Sequence, residues 1–340
     1  MVDGIGMRRI GWGIIGCGRI ATNAVGPAIR WSANGRLLAI ASRHRHVAEA
    51  KARELGALRA YAPYEELLGD PEIDAVYIGL PNGLHEEWAV RCAQAGKHVL
   101  CEKSLTLTLA SARRMAAAFS TRGLRLVDAF MYRHHPQWSL VRNLVDQGAI
   151  GKPFMVRAGF CYRLDDPYDH RWSATLGGGA LWDLTCYGVN VARFVTGAEP
   201  NRVAAFADSA TTEGVDATTQ ASMVLSNGVL ASVTGSMRCG SDDSVTVDGD
   251  EGTIEVPRAF VPRWDPTRIV LRSRGGPTKE RRFDVAGANQ YLHQAEHFAS
   301  LVRDPSLGEW PAEDGVRNVA VCEAIEKSWR TGARVAVEES

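Results

Sequence analysis

The sequence predicts an α/β protein: an N-terminal, doubly wound parallel sheet, followed by an α/β domain with an open, largely antiparallel mixed sheet. In the first third of the chain, apolar runs of strand length alternate with amphipathic stretches of helical length, which is typical of parallel sheets. In the second half, apolar and polar residues alternate along three segments, at 153–160, 217–225 and 229–237. Such alternation indicates antiparallel strands with one covered face.

The length and the composition agree with two domains. A chain of 340 residues is long for one compact core, and 45% hydrophobic residues are enough to fill two. We place the boundary near Phe130, which gives domains at residues 8–129 and 130–338. Lys and Arg total 39, as do Asp and Glu, so no net charge attracts nucleic acid or an anionic membrane surface. We expect neither as a partner.

Cysteine usage and the N-terminus indicate a cytoplasmic protein. The 7 cysteines stand far apart without a C-x-x-C pair, which argues against a disulfide framework and against a zinc site. We therefore expect reduced thiols and no bound metal. Residues 1–7 lack the apolar core of a signal peptide, and no uncharged apolar stretch is long enough to span a bilayer.

The strands of the first half are expected in chain order at 9–15, 36–42, 74–81, 98–102 and 124–129. A helix at 85–96, closed by a glycine, connects the third strand to the fourth. Ligands of parallel sheets bind beyond the carboxyl ends of the strands. One crevice should therefore receive Pro81-Asn82, Glu102-Lys103 and the residues after Ala129.

In the second half, Asn227-Gly228 between two alternating segments is a strong hairpin signal. A long helix is expected at about 181–194, inserted among the strands, and another begins near Gln290. The last helix, at about 313–329, is expected to support both domains. The chain contains no internal repeat and no flexible linker, so the two domains should be tightly joined.

A glycine-rich turn, Gly16-Cys17-Gly18-Arg19-Ile20-Ala21, follows the first strand and fits the pattern G-x-G-x-x-[GA]. Gly16 would make the tight turn, Gly18 would let a pyrophosphate approach the backbone, and Ala21 would let helix and strand pack closely. The phosphates would then lie at the N-terminus of the next helix, where free N–H groups favour an anion. This turn predicts a dinucleotide-binding site.

The residues after the second strand favour NADP(H) over NAD(H). NAD sites carry an Asp or Glu there to bind the ribose 2′-hydroxyl, and that carboxylate would repel a 2′-phosphate. This chain offers Ser42-Arg43 instead, and no acid until Glu49. A guanidinium matches phosphate oxygens and a serine hydroxyl adds a bond, so we interpret Ser42 and Arg43 as a 2′-phosphate clamp. The alternative is a solvated start of the following helix.

The order of motifs resembles the glucose-fructose oxidoreductase, inositol dehydrogenase and MocA family over essentially the whole chain. The matching motifs are Gly16–Ala21, Pro81–His85, Gly96–Lys103, Tyr132–Pro136, and Gly177–Asp183 followed by Tyr187. The resemblance implies a Rossmann domain, an open mixed sheet that supports a homodimer or homotetramer, and redox chemistry on sugars, cyclitols and related polyols. Tyr187 stands where inositol-type members carry histidine, so the chain looks like the aldose dehydrogenase, keto-sugar reductase and dimeric dihydrodiol dehydrogenase branch.

Tyr187 and Lys103 are the predicted catalytic residues. Hydride transfer between an alcohol carbon and nicotinamide needs a group that exchanges the hydroxyl proton and a positive charge that stabilises the developing oxyanion. An adjacent ammonium favours the phenolate form of a tyrosine and so helps it exchange a proton. Taken alone, each residue also has an ordinary interpretation: Tyr187 as a half-buried helix aromatic and Lys103 as a solvated loop charge.

Asp183 lies four residues before Tyr187, so one helical turn places both side chains on one face, and Asn190 shares it. We expect Asp183 and Asn190 to bind substrate hydroxyls, because a site with several hydrogen-bonding side chains suits a polyol. Tyr162 and Trp172 complete the predicted substrate set. For Asp183 the alternative is a carboxylate paired to a structural arginine.

Further cofactor contacts are expected from Pro81, Asn82, His85, Glu102, Arg171 and Trp172. The resemblance suggests that Glu102 binds the nicotinamide ribose, although it could simply end its strand. Arg171 and Trp172, ahead of a glycine run, would reach back to the cofactor. His134 and His135 are expected to be structural rather than metal ligands, because no carboxylate stands near them at ligand-like spacing.

Two positions depart from the family pattern. Ser104 replaces the usual proline, which removes a rigid and often cis linkage that helps to aim the lysine. Thr185 replaces a glycine and adds bulk where the helix would approach the nicotinamide. Neither change removes a reacting group. An altered substrate, a slow enzyme and a nucleotide-binding member without turnover are the three interpretations.

The function expected is an NADP(H)-dependent oxidoreductase of a sugar or polyol, either an aldose dehydrogenase or a keto-sugar reductase. The alternative within enzymes is a trans-dihydrodiol dehydrogenase, which a pocket lined by Trp172, Trp182 and Phe160 would favour. A non-catalytic NADP(H)-sensing protein is the alternative from another class, and it predicts nucleotide binding without turnover.

Overall fold

The computed structural model describes residues 8–208, 214–262, 264–274, 280–304, 306–307 and 311–338. The expectation about residues 1–7 lies outside this part of the chain. The first six strands are β1 (Ile10–Ile15), β2 (Gly35–Ala41), β3 (Arg59–Tyr61), β4 (Ala75–Ile78), β5 (His98–Cys101) and β6 (Leu126–Asp128). They form a parallel sheet of order β3-β2-β1-β4-β5-β6, which confirms the doubly wound architecture. The strand order reverses between β1 and β4, where such sheets bind their ligands.

Nine α-helices are present in the described chain. They are α1 (Gly26–Trp31), α2 (Arg45–Leu55), α3 (Tyr64–Leu68), α4 (His85–Gln94), α5 (Leu109–Ser120), α6 (Pro136–Asp146), α7 (Cys186–Thr196), α8 (Gln290–Arg303) and α9 (Ala312–Thr331). Single π-helical turns, Ala21–Val25 and Leu181–Thr185, precede α1 and α7. Such turns are often found at functional sites.

The remaining strands are β7 (Pro153–Cys161), β8 (Pro200–Asp208), β9 (Thr218–Leu225), β10 (Leu230–Ser236), β11 (Asp242–Gly249), β12 (Gly252–Val256), β13 (Thr267–Ser273), β14 (Glu280–Val285) and β15 (Val335–Ala336). Their order is β14-β13-β12-β11-β7-β10-β9-β8-β15. Only β7 and β10 pair in parallel among these, which confirms the mixed, largely antiparallel sheet. Gly228, with φ of +86°, turns the predicted hairpin between β9 and β10.

Two helices from the C-terminal part of the chain join the domains. α9 packs against α5 and β6 on one side and against β8 and α7 on the other, as expected of a helix that supports both domains. α8 packs on the first sheet, where the Phe298 ring lies 5.2 Å from that of Trp12. The second domain thus contributes a helix to the core of the first, and the boundary near Phe130 stays a prediction.

Within the described chain, no helix combines the length and the apolar character that crossing a membrane requires. The same residues contain no group of three or more His, Cys, Asp or Glu side chains that could hold a metal ion.

A histidine cluster lies where the turn after β6 meets α8. The rings of His134 and His297 lie 5.3 Å apart. Burial, and then the neighbouring His297, lower the pKa of His134 well below its usual value. Burial and the neighbouring His293 lower the pKa of His135 to about 4. Both rings are therefore neutral in the folded protein at neutral pH.

We expect the free energy of unfolding to fall as the pH drops from about 6.5 to about 4. The unfolded chain takes up protons at the ordinary histidine pKa, whereas the folded chain takes them up only at lower pH, so acid favours unfolding. Each buried histidine contributes at most about 1.4 kcal/mol per pH unit. Urea titrations across this range measure the slope, and His134→Gln should make it shallower. An unchanged slope in the variant would contradict this interpretation.

Candidate active site

The glycine-rich turn at the end of β1 fits the phosphates of a dinucleotide. Gly16 has φ of +98°, and a Cβ there would lie 2.5 Å from the carbonyl oxygen of Gly79. A Cβ at Gly18 would meet only that same oxygen, at 3.7 Å, so the backbone here is open to a ligand. A helical segment follows at once, since the Thr22 N–H donates to the Gly18 carbonyl at 3.0 Å. Open backbone next to a helix start is the geometry that phosphates need.

Ser42 and Arg43 lie at the carboxyl end of β2. Ser42 is buried, and its hydroxyl accepts a hydrogen bond from the His44 N–H at 3.4 Å. Arg43 is exposed, its backbone bonds Tyr64, and within the described chain its guanidinium makes no hydrogen bond or ion pair. Arg45 is engaged, because its guanidinium donates to the Glu66 carboxylate at 2.8 Å. Arg43 is therefore the arginine of this segment that can bind an anion.

Lys103 and Asp183 form the centre of the site. Lys103 follows β5, and Asp183 lies in the π-helical turn ahead of α7. The Lys103 ammonium donates to the Asp183 carboxylate Oδ1 and to the Asp183 backbone carbonyl, both at 2.8 Å. The other carboxylate oxygen, Oδ2, accepts from Arg171 Nε at 2.9 Å and from the Tyr162 hydroxyl at 2.7 Å. Asp183 thus links three other predicted site residues, Lys103, Arg171 and Tyr162, and its partner Arg171 makes it an arginine-paired carboxylate.

Ion pairing, rather than burial, determines the charge states of Lys103 and Asp183. Burial favours the neutral form of Asp183, but the cations of Lys103 and Arg171 outweigh burial and hold the pKa of this carboxyl well below its usual range. Burial likewise favours neutral Lys103, but the Asp183 carboxylate outweighs it and raises the pKa of the ammonium. Both groups are therefore charged at neutral pH.

Tyr187 lies in the first turn of α7 and is 4% exposed. Its hydroxyl donates to the thioether sulfur of Met131 at 3.4 Å, and the Lys103 ammonium lies 5.2 Å from the ring centre. Burial raises the pKa of Tyr187 well above its usual value. The expectation that the ammonium favours the phenolate is therefore wrong for this arrangement, because Lys103 lies over the ring and burial dominates. The phenol is protonated, and the weak sulfur acceptor leaves it free to bind a ligand.

The loop after β5 and the π-helical turn ahead of α7 correct three expectations. The Lys103–Ser104 peptide is cis, so the cis linkage remains although the proline is replaced. His85 is fully buried, with its ring nitrogens 2.9 Å and 2.8 Å from the carbonyls of Ser104 and Leu80, so it positions this loop and does not reach the cofactor crevice. Thr185 is buried against β10, where a Cβ at Gly235 would lie 2.3 Å from its hydroxyl. Its bulk faces the sheet because the π-helical turn carries it there.

A cavity of about 600 Å³ lies between the two sheets and brings these residues together. Predicted residues that line it are Arg19, Ile20, Glu102, Lys103, Tyr162, Arg171, Asp183 and Tyr187. Glu102 accepts a hydrogen bond from the Tyr77 hydroxyl at 2.5 Å, and burial raises its pKa against the opposing charge of Lys103. The predicted catalytic pair Lys103 and Tyr187, the predicted substrate ligand Asp183 and the end of the dinucleotide turn therefore line one chamber.

Asn190 does not reach the cavity. Its Oδ1 accepts from the Tyr132 hydroxyl at 2.6 Å and from Arg133 Nε at 2.8 Å, and its Nδ2 donates to Asn318 at 3.2 Å. Three residues of an α-helix turn through about 300°, so Asn190 is rotated by about 60° from Tyr187 into the core. The prediction that Asn190 binds substrate is wrong.

Trp172 and Asn82 also lie outside the chamber. Trp172 lines a separate cleft beside it, and its indole N–H donates to the Asp166 carbonyl at 3.0 Å, because the loop before the glycine run folds back on itself. Its predicted contact with the substrate in the main cavity is therefore wrong. Asn82, next to Pro81, donates to the Gly177 carbonyl at 3.0 Å and so joins the crevice wall to the second domain.

The cavity also contains residues that sequence reasoning missed. Met131, Ser241, Asp242, Asp243, Arg258 and Tyr291 line it. The strand-end rule places the residues after Ala129 at this edge, beside Lys103, although it does not single out Met131. Tyr291 has no such signal, because α8 comes from the far end of the chain and reaches the cavity only through tertiary packing.

A dinucleotide turn, a buried ammonium and a protonated phenol around one chamber define an oxidoreductase that uses a nicotinamide dinucleotide. The chain belongs to the Gfo/Idh/MocA family. Residues 10–130 match the oxidoreductase family with an NAD-binding Rossmann fold, and residues 138–255 match the GFO/IDH/MocA C-terminal domain. These matches confirm the resemblance found in the motifs.

Relatives with named activities cover nearly the whole chain. D-xylose 1-dehydrogenase (NADP(+)) 2 of Haloferax volcanii is 37% identical over 336 residues, which is 96% of this chain and 99% of that protein. The dTDP-3,4-didehydro-2,6-dideoxy-alpha-D-glucose 3-reductase of Actinomadura kijaniata is 32% identical and covers 95% of each chain. A solved 3-ketoreductase from Actinomadura kijaniata, in complex with NADP and TDP-benzene, is 30% identical with a TM-score of 0.89, over 94% of this chain and 98% of that chain.

Proposed function

We propose that this protein is an NADP(H)-dependent oxidoreductase that transfers hydride between nicotinamide and a carbon of a sugar or polyol. The observation that carries this proposal is the chamber that Lys103, Asp183 and Tyr187 share beyond the dinucleotide turn. The xylose dehydrogenase and the keto-sugar reductase among the relatives support it. Aldose dehydrogenase and keto-sugar reductase are the two forms that this activity can take.

The cofactor would be held along the carboxyl ends of β1, β2, β4 and β5. The residues proposed to hold it are Gly16, Cys17, Gly18, Arg19, Ile20, Ser42, Arg43, Pro81, Asn82, Glu102 and Arg171. Backbone N–H groups of the turn would bind the pyrophosphate, and Arg43 with Ser42 would bind the 2′-phosphate. When bound, the nicotinamide ring supplies or accepts the hydride.

Tyr187 would exchange the proton of the reacting oxygen. Because burial keeps this phenol protonated, the proton that a ketone needs on reduction is already in place. Lys103 would stabilise negative charge on that oxygen, and its ammonium is held ready by the two oxygens of Asp183 that accept from it. Oxidation of an alcohol uses the same groups in reverse, with Tyr187 receiving the proton.

The polar lining favours a sugar over a flat aromatic diol. Asp183, Arg171 and Tyr162 form one hydrogen-bonded set in the chamber, and a hydroxyl-rich substrate can exchange partners with it. Of the aromatic residues that would favour dihydrodiol dehydrogenase activity, Phe160 lines the chamber, while Trp172 and Trp182 do not. Dihydrodiol dehydrogenase activity is the second candidate, because the trans-1,2-dihydrobenzene-1,2-diol dehydrogenase of Xenopus laevis is 32% identical over 279 residues.

Arg43→Ala should weaken NADP⁺ binding by about ten- to hundredfold and leave NAD⁺ binding unchanged, because one charge-assisted phosphate contact is lost. Fluorescence titration with both nucleotides measures the two dissociation constants. Arg45→Ala is the matched control, since Arg45 already pairs with Glu66 and should bind no phosphate. Equal losses for both nucleotides in Arg43→Ala would contradict a 2′-phosphate contact.

A substrate screen tests the proposed activity. The protein is incubated with NADP⁺ and aldoses, deoxysugars, inositols or aromatic diols, and with NADPH and keto-sugars, while absorbance is followed at about 340 nm, where the reduced ring absorbs. Turnover of a sugar or polyol is the expected result. Preference for an aromatic diol would instead identify a dihydrodiol dehydrogenase, and nucleotide binding without turnover would identify an NADP(H) sensor.

We also propose that the protein is a cytoplasmic homodimer or homotetramer, formed through the uncovered face of the second sheet. Phe206 is 80% exposed on β8, and Val224 and Leu230, at 38% and 47%, lie opposite each other on β9 and β10. Apolar side chains gathered on one face favour association. Light scattering should give two or four times the chain mass of 36.9 kDa, and a monomer would refute the proposal.

A further inference from the structure

Asp216 is a buried carboxylate that binds the start of the helical segment carrying the active site. It precedes β9 and is 4% exposed. Its Oδ2 accepts a hydrogen bond from the Leu181 N–H at 2.6 Å and another from the Thr219 hydroxyl. Its backbone carbonyl accepts from the Ala180 N–H at 2.8 Å. Asp216 therefore binds two successive backbone amides at the point where the π-helical turn begins.

The backbone just before this turn is shaped around the same carboxylate. Gly179 has φ of +111°, and a Cβ there would lie 2.2 Å from the Asp216 Oδ1. Only glycine allows the chain to pass so close to the carboxylate in this conformation. The Asp183 N–H then donates back to the Gly179 carbonyl at 3.0 Å. Asp216, Gly179 and Asp183 are thus connected by direct contacts.

The position of this turn determines where the Lys103 ammonium lies. Asp183 accepts from Lys103 through its backbone carbonyl as well as through its side chain, both at 2.8 Å. A shift of the backbone at 183 therefore moves both acceptors together, and the ammonium with them. Shifts of about 1 Å in a catalytic group can cost about a hundredfold in rate.

We propose that Asp216 is a positioning residue for hydride transfer: by binding the amides of the π-helical turn, it fixes Asp183 and, through Asp183, the Lys103 ammonium. This inference rests on the proposed function and adds to it a residue outside the chamber. Asp216 does not line the chamber. Its effect is on the rate of the chemical step and not on binding.

The charge of Asp216 strengthens its hold on the turn. A carboxylate at the start of a helix interacts favourably with the free amides there, and charged hydrogen bonds are about twice as strong as neutral ones. Burial raises the pKa of Asp216 to about 6, with the bonds from Thr219 and Leu181 opposing it. Glu326 of α9 also raises this pKa. Below about pH 6 the carboxylate takes up a proton, and the hold on the turn weakens.

The experiment compares Asp216→Ala and Asp216→Asn with the wild-type protein. We expect Asp216→Ala to lower kcat about a hundredfold and the isosteric Asp216→Asn about tenfold, with KM and the Kd for NADP⁺ changing less than about threefold. The kcat of the wild type should fall as the pH drops through about 6, and Asp216→Asn should lose this dependence. If the alanine variant fails to fold, the asparagine variant alone carries the test.

Asp70→Asn is the matched control, because Asp70 is another buried carboxylate, bonded to the Glu72 N–H and the Tyr61 hydroxyl, in the first domain. It should lose stability and keep its kcat. If Asp216→Ala also keeps its kcat at a similar loss of thermal stability, Asp216 is only a structural cap and the proposal is wrong.

A second readout does not depend on activity. Hydrogen exchange of the amides at 181–187, measured without cofactor, should become faster in both Asp216 variants and not in Asp70→Asn. Unchanged exchange would overturn the proposal. If even the wild type turns over no substrate, the proposed function fails, and the exchange measurement still decides whether Asp216 holds the turn.

Discussion

Tyr187→Phe is expected to lower kcat by about 10³-fold while NADP(H) binding is unchanged. The change removes one oxygen, the group proposed to exchange a proton with the substrate. That oxygen makes a 3.4 Å contact with the sulfur of Met131, a weak acceptor, so its loss costs the free protein little stability. Steady-state kinetics with the substrate identified by screening gives kcat, and fluorescence titration gives the dissociation constant for NADPH.

Tyr132→Phe is the control for this change. Tyr132 belongs to the same aromatic cluster, with its ring 6.1 Å from that of Tyr187, but it does not line the chamber, and its hydroxyl donates to Asn190. Loss of the Tyr132 hydroxyl leaves the buried Asn190 Oδ1 with one donor fewer, at a cost of about 1 kcal/mol in the free energy of unfolding. The kcat should change less than about threefold. Wild-type kcat in Tyr187→Phe would remove Tyr187 from the mechanism.

The sheet architecture could be predicted because its signals are local. Apolar runs and period-two alternation lie within single strands, and the hairpin at 227–228 is encoded in two residues. The strand β3 (Arg59–Tyr61) was missed, since three partly buried residues carry no pattern. The packing of α8 on the first sheet was missed because the residues of α8 alone do not indicate which sheet the helix packs against.

The strand-end rule agrees with the structure in part: Glu102 and Lys103 follow β5 and line the chamber, whereas Pro81 and Asn82, after β4, do not line it. Their roles stay predictions. Predictions from helical periodicity likewise agree in part: Asp183 and Tyr187 line the chamber, whereas Asn190 faces the core. Helical periodicity predicts which side of a helix faces the cavity. It does not predict how many neighbouring positions around the helix also reach the cavity. The number of such positions depends on neighbours such as Arg133, which come from other parts of the chain.

The ionisation states of Lys103, Asp183 and Tyr187 could not be predicted from the sequence. The sequence led us to expect that Lys103 would favour the phenolate form of Tyr187, but the structure pairs the ammonium with Asp183 and buries the phenol. The pKa of a buried group depends on its partners and on the water it has lost, and neither is contained in the spacing of residues. The protonated phenol and the ion-paired lysine therefore had to come from the structure.

Lys103→Ala is the second change with a large expected effect, a fall in kcat of about 10³-fold. It removes the charge that would stabilise the reacting oxygen, while Asp183 keeps Arg171 and Tyr162 as partners and stays ionised. The fold should therefore tolerate the change. Because truncation leaves space where the side chain was, methylammonium or ethylammonium in the assay should restore part of the lost rate. Kinetics with and without the added amine measure both effects.

Lys97→Ala separates this role from the general cost of removing a buried lysine. Lys97 is 7% exposed, and its ammonium donates to the carbonyls of Asp70 and Ile73 at 2.7 Å and 2.8 Å, outside the chamber. Its truncation should lower stability, keep kcat, and show no response to added amines. Lys103 would be only a structural cation if its variant kept the wild-type kcat, or if Lys97→Ala lost as much activity. Recovery confined to Lys103→Ala would instead show that the missing charge acts inside the chamber, on the reacting oxygen.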